Sequence, residues 1–200
     1  MDLFNQDTTQ NRLPYEGEVI YYGPIFSPQE AEHYRAVLLD KIAWKPDEAI
    51  MFGKHILTKR KVAWYGDAPY SYTYSQRTRQ ALLWTSELLE INEKVESLLA
   101  HRYNSCLLNL YHNGEEGMAW HSDDEKDLGP TPNIASLSFG AERRFLFKHK
   151  ESKEKVALVL ERGSLLVMKG LTQQHWLHRL PPSKKVHSPR INLTFRTMYT

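Results

Sequence analysis

The chain has 200 residues, of which 41% are hydrophobic and 25% are charged, as in a single soluble globular domain. No apolar run reaches the roughly 18 residues of a membrane span, and no basic segment followed by an apolar one opens the chain. We therefore expect neither a membrane anchor nor a secretory signal. The formal net charge of +2 is too small to indicate nucleic-acid binding by itself, and the lone cysteine, Cys106, excludes an internal disulfide and favours an intracellular compartment.

Two helices are predicted in the first half of the chain, after a polar segment over residues 1–18 that we expect to be a loose arm. Ser27 and Glu30 form a capping box with Pro28 at the first helical position, and an apolar stripe follows to about residue 44. A stronger stripe predicts a second helix over about residues 83–101. Its apolar members are Trp84, Leu88, Ile91, Val95 and Leu98.

Short β-strands dominate the second half of the chain. The apolar or alternating runs that predict them lie at 106–111, 134–139, 144–149, 156–160, 164–168, 175–180 and 190–199. Residues 47–76 also have an extended pattern. Many short strands at this spacing indicate a β-sandwich or a jelly-roll barrel, and the two helices would cover one sheet from outside.

A pair of potential metal ligands lies at His121 and Asp123. Residues two apart on a strand point to the same side, so this imidazole and this carboxylate can converge on one ion. They would supply two of the three ligands of a facial triad for non-haem Fe(II). The candidates for the third ligand are His149, His175, His178 and His187.

The alternation of polar and apolar residues does not decide which of these histidines is the third ligand. We interpret His149 and His187 as surface or hydrogen-bonded histidines. His175 and His178 lie in one strand-like run and are three residues apart, so only one of them can point inward. Which of the two does so depends on which face of the strand is interior.

The last strand alternates strictly between polar and apolar residues. Arg190, Asn192, Thr194 and Arg196 share one face; Ile191, Leu193 and Phe195 share the other. A strand of this kind usually turns its polar face to solvent, and without context we favour that interpretation. The alternative is a polar face that lines a pocket, where two arginines would suit a diacid. Their Cα atoms would lie about 20 Å apart at ~3.3 Å per residue, so only inclined side chains could share a small ligand.

An ordered series of motifs resembles the AlkB family of 2-oxoglutarate- and Fe(II)-dependent nucleic-acid dealkylases. The matching segments are 109–111, 121–125, 134–140, 145–150, 175–181 and 189–196. The resemblance covers roughly residues 50–197. The upstream motifs Phe52-Gly53-Lys54, Tyr65-Gly66-Asp67 and Tyr72-Thr73-Tyr74-Ser75 resemble the branch that acts on duplex DNA.

The resemblance implies a fold and a set of ligands. The fold is α+β but mainly β: one domain over 1–200, with N-terminal flanking helices, a nucleotide-recognition region at about 47–80, and a double-stranded β-helix (jelly roll) at about 104–200. The implied iron ligands are His121, Asp123 and His178. The residues implied to hold 2-oxoglutarate are Asn109, Tyr111, Arg190, Thr194 and Arg196, with Asn192 on the same face.

The resemblance also implies a substrate site for a flipped-out base. Tyr72, Tyr74 and the His121 ring would stack on that base, and Asp124 and Glu125 would favour a cationic ring. Phe52 would fill the gap in the duplex, and the alternative is a hairpin-tip or core aromatic. Further substrate-binding residues would be Gly53, Lys54, Arg60 and Ser75, and phosphate contacts could come from Lys59, Lys61, Arg143, Arg144, Lys184 and Lys185. The human duplex-acting relative has Phe where this chain has Tyr74, which makes the base preference uncertain.

The function expected from the resemblance is oxidative demethylation of N1-methyladenine and N3-methylcytosine in DNA. The reaction would use Fe(II) as a cofactor, consume 2-oxoglutarate and O₂ as co-substrates, and release succinate, CO₂ and formaldehyde. The partner would be methylated DNA, duplex or single-stranded, or RNA, and the protein would be a monomer in the bacterial cytoplasm or the eukaryotic nucleus. The alternatives are the same chemistry on RNA or protein, and a silent nucleic-acid binding module. A zinc hydrolase would leave the two arginines unexplained.

Overall fold

A computed structural model of the chain describes residues 10–51, 54–74 and 77–199, with the backbone alone for 48–51, 54–56, 72–74 and 77–79. The helices are α1 (Pro28–Lys41), α2 (Ser86–Leu99) and α3 (Thr172–His175). The strands are β1 (Glu18–Pro24), β2 (Lys45–Met51), β3 (Lys54–Gly66), β4 (Ser71–Tyr74), β5 (Arg77–Gln80), β6 (Leu82–Leu83), β7 (Ser105–Tyr111), β8 (Met118–His121), β9 (Ile134–Gly140), β10 (Arg143–His149), β11 (Lys155–Leu160), β12 (Ser164–Lys169), β13 (Trp176–Leu180) and β14 (Arg190–Arg196).

Local capping signals start both long helices where the sequence predicts them. Ser27 accepts a hydrogen bond from the main-chain N–H of Glu30, whose carboxylate accepts one from Ser27 N–H, so the capping box is confirmed. Thr85 caps α2 by accepting a hydrogen bond from the Leu88 N–H, and Ala100, which follows the last helical residue, has a left-handed φ of 49°. The first helix ends at Lys41, earlier than the apolar stripe indicates, because Ile42 is already extended.

The strands form the two facing sheets of a jelly roll. The larger sheet has the order β1-β12-β9-β14-β7-β3-β2, with β6 added to β3, and the smaller sheet has the order β11-β10-β13-β8. The β4–β5 pair is separate. The predicted mainly-β jelly-roll fold is therefore confirmed, and the extended pattern at 47–76 corresponds to β2, β3 and β4. No helix in the described ranges is long and apolar enough to span a membrane.

Two hydrophobic clusters lie on opposite faces of the larger sheet. Ile191, Leu193 and Phe195 of β14 pack in the cluster that includes buried residues of α1 and α2. The second cluster, with Phe147 and Trp176, fills the space between the sheets. The apolar face of β14 thus packs under the helices, and its polar face points into the jelly roll. The solvent interpretation of the last strand is therefore wrong, because Arg190, Asn192 and Thr194 are buried, and the pocket interpretation stays a prediction.

Residues 10–17, which we call the N-terminal strap, are packed rather than loose. Leu13 is only 4% exposed, and the Asn11 side chain accepts hydrogen bonds from the N–H groups of Leu13 and Val19. Trp176 Nε1 donates to the carbonyl of Tyr15. The prediction of a loose arm is therefore wrong for residues 10–17. Composition marks this segment as polar, but the buried Leu13 and the hydrogen bonds of Asn11 hold it against the domain.

Candidate metal and co-substrate site

Three potential ligands meet at one end of the smaller sheet. His121 ends β8 and pairs directly with His178 on β13, while Asp123 follows two residues beyond β8. The Oδ1 atom of Asp123 lies 3.8 Å from His121 Nε2 and 3.9 Å from His178 Nε2. His175 ends α3 instead, so the run read as one strand over 175–180 begins only at Trp176. The structure therefore selects His178 over His175.

The electrostatics of these groups suit a divalent metal. His121 Nδ1 lies 2.8 Å from the carbonyl oxygen of Ala119, which can only accept, so Nδ1 donates to it and Nε2 is the nitrogen that faces Asp123. Burial, followed by the nearby His121, lowers the pKa of His178 to about 3, which keeps this imidazole neutral. Burial opposes ionisation of Asp123, but Arg196 and the two imidazoles outweigh it and lower its pKa to about 2.

Two imidazoles and one carboxylate form the donor set of a non-haem Fe(II) site. The ligand atoms also face one another: the Nε2 atoms of His121 and His178 lie 3.8 and 3.9 Å from Asp123 Oδ1. Arg196 donates from Nη2 to Asp123 Oδ2 at 2.6 Å, which leaves Oδ1 to the imidazoles. Fe(II) thus fits His121, Asp123 and His178.

Polar residues on the inner face of the larger sheet, which we call the cradle, meet the ligands at Arg196, which contacts Asp123. Arg190 pairs in register with Tyr111 on β7, and Asn192 pairs with Asn109. Arg190 is 2% exposed, and its Nη2 donates to Ser138 Oγ at 2.9 Å. Burial, opposed by Tyr111 and assisted by the nearby Arg143, lowers its pKa to about 10, so the guanidinium stays charged at neutral pH.

The amide and hydroxyl groups of the cradle form a chain of hydrogen bonds. Asn192 Nδ2 donates to Ser136 Oγ at 2.9 Å and to the carbonyl of Leu137 at 3.0 Å. Thr194 Oγ1 donates to Asn192 Oδ1 at 3.2 Å. These bonds fix the polar face of β14 before any ligand is bound. Sequence reasoning did not identify Ser136 and Ser138 as site residues, although they alternate with apolar residues in β9.

Tyr111 is surrounded by three guanidinium groups. The Cζ atoms of Arg60, Arg143 and Arg190 lie 5.9, 5.9 and 5.5 Å from its ring centroid. Arg60 forms an ion pair with Asp47 and donates from Nη1 to Asn109 Oδ1 at 2.7 Å. Arg60, predicted on the substrate side, therefore contacts the cradle. Arg190 has no salt bridge within the described ranges, which leaves its charge for a carboxylate ligand.

Comparisons with known proteins agree with this arrangement. A family model described as the 2OG-Fe(II) oxygenase superfamily matches residues 18–196. The bovine (Bos taurus) DNA oxidative demethylase ALKBH2 is 37% identical over 199 residues, covering 94% of this chain and 72% of the relative. The chain belongs to the AlkB family of this superfamily. Fe(II) and 2-oxoglutarate, which the superfamily's name specifies, are the groups that the ligand set and the cradle fit.

Other relatives are longer than this chain. The alpha-ketoglutarate-dependent dioxygenase alkB homolog 3 of Bos taurus is 40% identical over 181 residues, and the alignment covers 86% of this chain but 63% of the relative. Human ALKBH2 is 44% identical over 154 residues, which are 73% of this chain and 59% of the relative. The solved structure of OsALKBH1 superposes with a TM-score of 0.58 at 15% identity, covering 84% of this chain and 91% of that one, and so supports the fold alone.

Arg143 differs from its predicted role as a phosphate contact. The side chain is 2% exposed, and its Nη atoms donate to the carbonyl oxygens of Asn113, Gly114, Glu116 and Pro181. A guanidinium enclosed by main-chain carbonyls cannot reach a phosphate, so this prediction is wrong. Its neighbour Arg144, together with Lys184 and Lys185, is exposed.

Arg143→Ala should therefore destabilise this AlkB-family protein, whereas Arg144→Ala should not. Removing the buried guanidinium leaves several carbonyl groups without a donor, and we expect the free energy of unfolding to fall by about 2–4 kcal/mol. The exposed neighbour should change it by less than about 0.5 kcal/mol. Urea denaturation of both variants measures the difference, and equal stabilities would contradict the buried role of Arg143.

The predicted substrate residues are only partly within the described ranges. Phe52, Gly53 and Ser75 lie outside them. Lys54 begins β3, and Tyr72 and Tyr74 lie on β4, where they pair in register with Arg79 and Arg77. The roles of these side chains stay predictions.

The two acidic residues after the metal ligand have different surroundings. Asp124 is exposed, and its Oδ2 accepts a hydrogen bond from Ser122 Oγ at 3.1 Å. Glu125 is half-buried; burial raises its pKa, and Oε2 has no hydrogen-bond partner in the described part of the chain. An acceptor with an unfilled bond beside the metal site is suited to a base that carries hydrogen-bond donors.

The side chains of Glu16, His149 and His175 also lie close enough together to hold a metal ion. Hydrogen bonds account for the contact between Glu16 and His149. The N–H of Ser152 donates to His149 Nδ1 at 3.1 Å, so Nδ1 is the acceptor and a proton lies on Nε2. That nitrogen lies 2.8 Å from Glu16 Oε2 and donates to it. His149 thus fastens the N-terminal strap to β10, as the prediction of a hydrogen-bonded histidine requires, and His187 is exposed.

Proposed function

We propose that the chain is an Fe(II)- and 2-oxoglutarate-dependent demethylase of alkylated DNA bases. The observation that carries the proposal is that the His121, Asp123 and His178 ligands meet the polar inner face of β14, where Arg196 contacts Asp123 and the buried Arg190 forms no salt bridge in the described part of the chain. The names of the relatives support the DNA substrate, because ALKBH2 is a DNA oxidative demethylase in human and cattle. A monomer acting inside the cell remains the prediction of the sequence.

The residues of the chain would divide the work of binding between them. His121, Asp123 and His178 would hold the metal, and Arg190 would bind a carboxylate of 2-oxoglutarate, with Tyr111 and Asn109 beside it. When bound, Fe(II) with 2-oxoglutarate and O₂ supplies the oxidising power that converts an N-methyl group to formaldehyde. Arg196 would keep Asp123 ionised and oriented.

Charge would select the substrate. N1-methyladenine and N3-methylcytosine are cationic rings, whereas the parent bases are neutral, so the carboxylates of Asp124 and Glu125 would attract the damaged bases. Tyr72 and Tyr74 would stack on the extruded ring. The protein would thereby discriminate by charge and shape rather than by the neighbouring sequence.

Phe52→Ala tests the finger predicted for duplex substrates. If Phe52 fills the gap left by the flipped base, we expect kcat/KM on methylated duplex DNA to fall by about 10-fold or more, since holding an unstacked base pair open costs a few kcal/mol. Activity on the same strand without its complement should change less than about twofold. Rates of formaldehyde release from both substrates give the answer, and an equal loss on both would refute the finger.

A substrate panel tests the proposed function as a whole. Formaldehyde release is measured with one oligonucleotide sequence carrying N1-methyladenine as duplex DNA, single-stranded DNA and RNA, with unmethylated strands as controls. The proposal predicts turnover of the methylated DNA strands above every control. Turnover of RNA alone would assign the same chemistry to RNA, and no turnover of any nucleic acid would move the substrate to protein or remove the activity.

A further inference from the structure

The short helix α3 contacts β1, the segment between β8 and β9, and Lys150 after β10. Thr172 Oγ1 accepts a hydrogen bond from the Glu18 N–H at 2.8 Å, which ties the helix to β1. Gln174 Nε2 donates to the carbonyl of Pro130 at 2.7 Å. Residues 122–133, which we call the ligand loop, join β8 to β9 and carry Asp123. The helix therefore contacts the far end of the ligand loop through Gln174.

Gln173 contacts the near end of the same loop, at the metal ligand itself. Its side chain is 2% exposed, and its Oε1 accepts a hydrogen bond from the main-chain N–H of Asp123 at 2.9 Å. Its Nε2 lies 3.4 Å from Met168 Sδ, and its own carbonyl accepts from Lys150 Nζ at 2.9 Å. Both ends of this glutamine are thus held in place.

Asp123 needs such a partner because it lies beyond the paired part of its strand. The last register pair between β8 and β13 at this end is His121 with His178. Arg196 occupies Asp123 Oδ2, so the direction of Oδ1 depends on where the Asp123 main chain is placed. Gln173 supplies the acceptor that a neighbouring strand would otherwise provide.

We propose that Gln173 is a positioning residue of the metal site, whose side-chain carbonyl holds the Asp123 main chain so that Oδ1 faces both imidazoles. The inference rests on the proposed role of Asp123 as a metal ligand. Groups that orient metal ligands typically change metal affinity by about 10- to 100-fold when they are removed. Gln173→Met keeps the length and apolar volume of the side chain and loses the acceptor.

The same helix offers a matched control. Gln174 is an exposed glutamine that binds the same loop but far from Asp123. Gln174→Ala removes one contact of the ligand loop and leaves the Gln173 bond unchanged. Gln173→Asn is a second test variant, because it keeps a buried amide that is one methylene too short to reach the Asp123 N–H.

The test is titration of the metal-free full chain with Co²⁺, followed by the absorption of the bound ion. We expect the Kd of Gln173→Met to rise about 10- to 100-fold and that of Gln174→Ala to change less than about twofold. Thermal melting of the metal-free variants measures folding separately, and if Gln173→Met does not fold, the expectation applies to Gln173→Asn. The KM for 2-oxoglutarate should stay unchanged, because Gln173 does not contact the Arg190 cradle.

The outcomes separate this inference from the proposed function. If the wild-type chain binds no Co²⁺, the metal site itself is wrong. If the wild type binds Co²⁺ and folded Gln173 variants bind it equally well, Gln173 has no positioning role. An equal loss in the Gln173 and Gln174 variants would also overturn the inference, because it would indicate a general loosening of the ligand loop.

Discussion

His121→Ala is expected to abolish turnover while the protein remains folded. The variant removes one of the three ligands, and the loss of rate should exceed the roughly 100-fold that removing an outer partner of a ligand costs. The side chain is 30% exposed, and its hydrogen bond goes to the Ala119 carbonyl two residues away. The free energy of unfolding of the metal-free protein should therefore change by about 1 kcal/mol or less. Formaldehyde release and urea denaturation measure the two effects.

Asp123→Ala is a poorer test of the same ligand set, although it removes a ligand too. Arg196 is 13% exposed and has its ion pair with Asp123, so the alanine variant leaves a largely buried guanidinium without that partner. Breaking such a pair costs about 3–5 kcal/mol, and lost activity could then reflect unfolding. For His121→Ala, substantial activity in a folded variant would contradict the metal assignment.

Arg190→Met is expected to weaken 2-oxoglutarate binding and leave the ligand-free protein as stable as before, or more so. Truncating a buried partner of a carboxylate costs about 2–5 kcal/mol, which is roughly 30- to several-thousand-fold in affinity. In the ligand-free protein, however, Arg190 is a buried cation that has neutral partners, Ser138 and Tyr111, and no salt bridge in the described ranges. An apolar side chain of similar length avoids the free-energy cost of burying this charge.

The opposite signs make the Arg190 prediction specific. Calorimetric titration with 2-oxoglutarate in the presence of Mn²⁺ gives the affinity, and thermal melting without ligand gives the stability. Arg144→Met serves as the matched control, since Arg144 is an exposed arginine on the smaller sheet. Unchanged affinity in Arg190→Met would remove this residue from the co-substrate site, and a large loss of stability would show that its charge supports the fold instead.

Local signals explain why parts of this protein are predictable from sequence. The capping box at Ser27 and Glu30 depends on residues three apart, and the structure reproduces it. The polar and apolar residues of β14 do lie on opposite faces of the strand, as the alternation predicts. Whether the polar face is buried or exposed depends on which face packs against the helices. That information is tertiary, and the family resemblance rather than the alternation supplied it.

Tertiary contacts explain the errors and the omissions. His175 and His178 look equivalent while one strand is assumed, but α3 interrupts the run and leaves only His178 opposite His121. Arg143 belongs to a charged pair that resembles solvated surface, and only the folded loop after β7 encloses it in carbonyl groups. Gln173 carries no local signal, because its partner Asp123 is 50 residues away in sequence.

The central claim is that metal ligands and a dicarboxylate cradle serve one reaction on a methylated base. The most direct measurement loads the protein anaerobically with Fe(II), adds O₂ and 2-oxoglutarate, and follows succinate and formaldehyde together, with duplex DNA carrying one N1-methyladenine or none. The account predicts that both products rise in equal amounts with the methylated duplex and that formaldehyde is absent with the unmethylated one. Folded, iron-binding protein that forms neither product with the methylated duplex would contradict it.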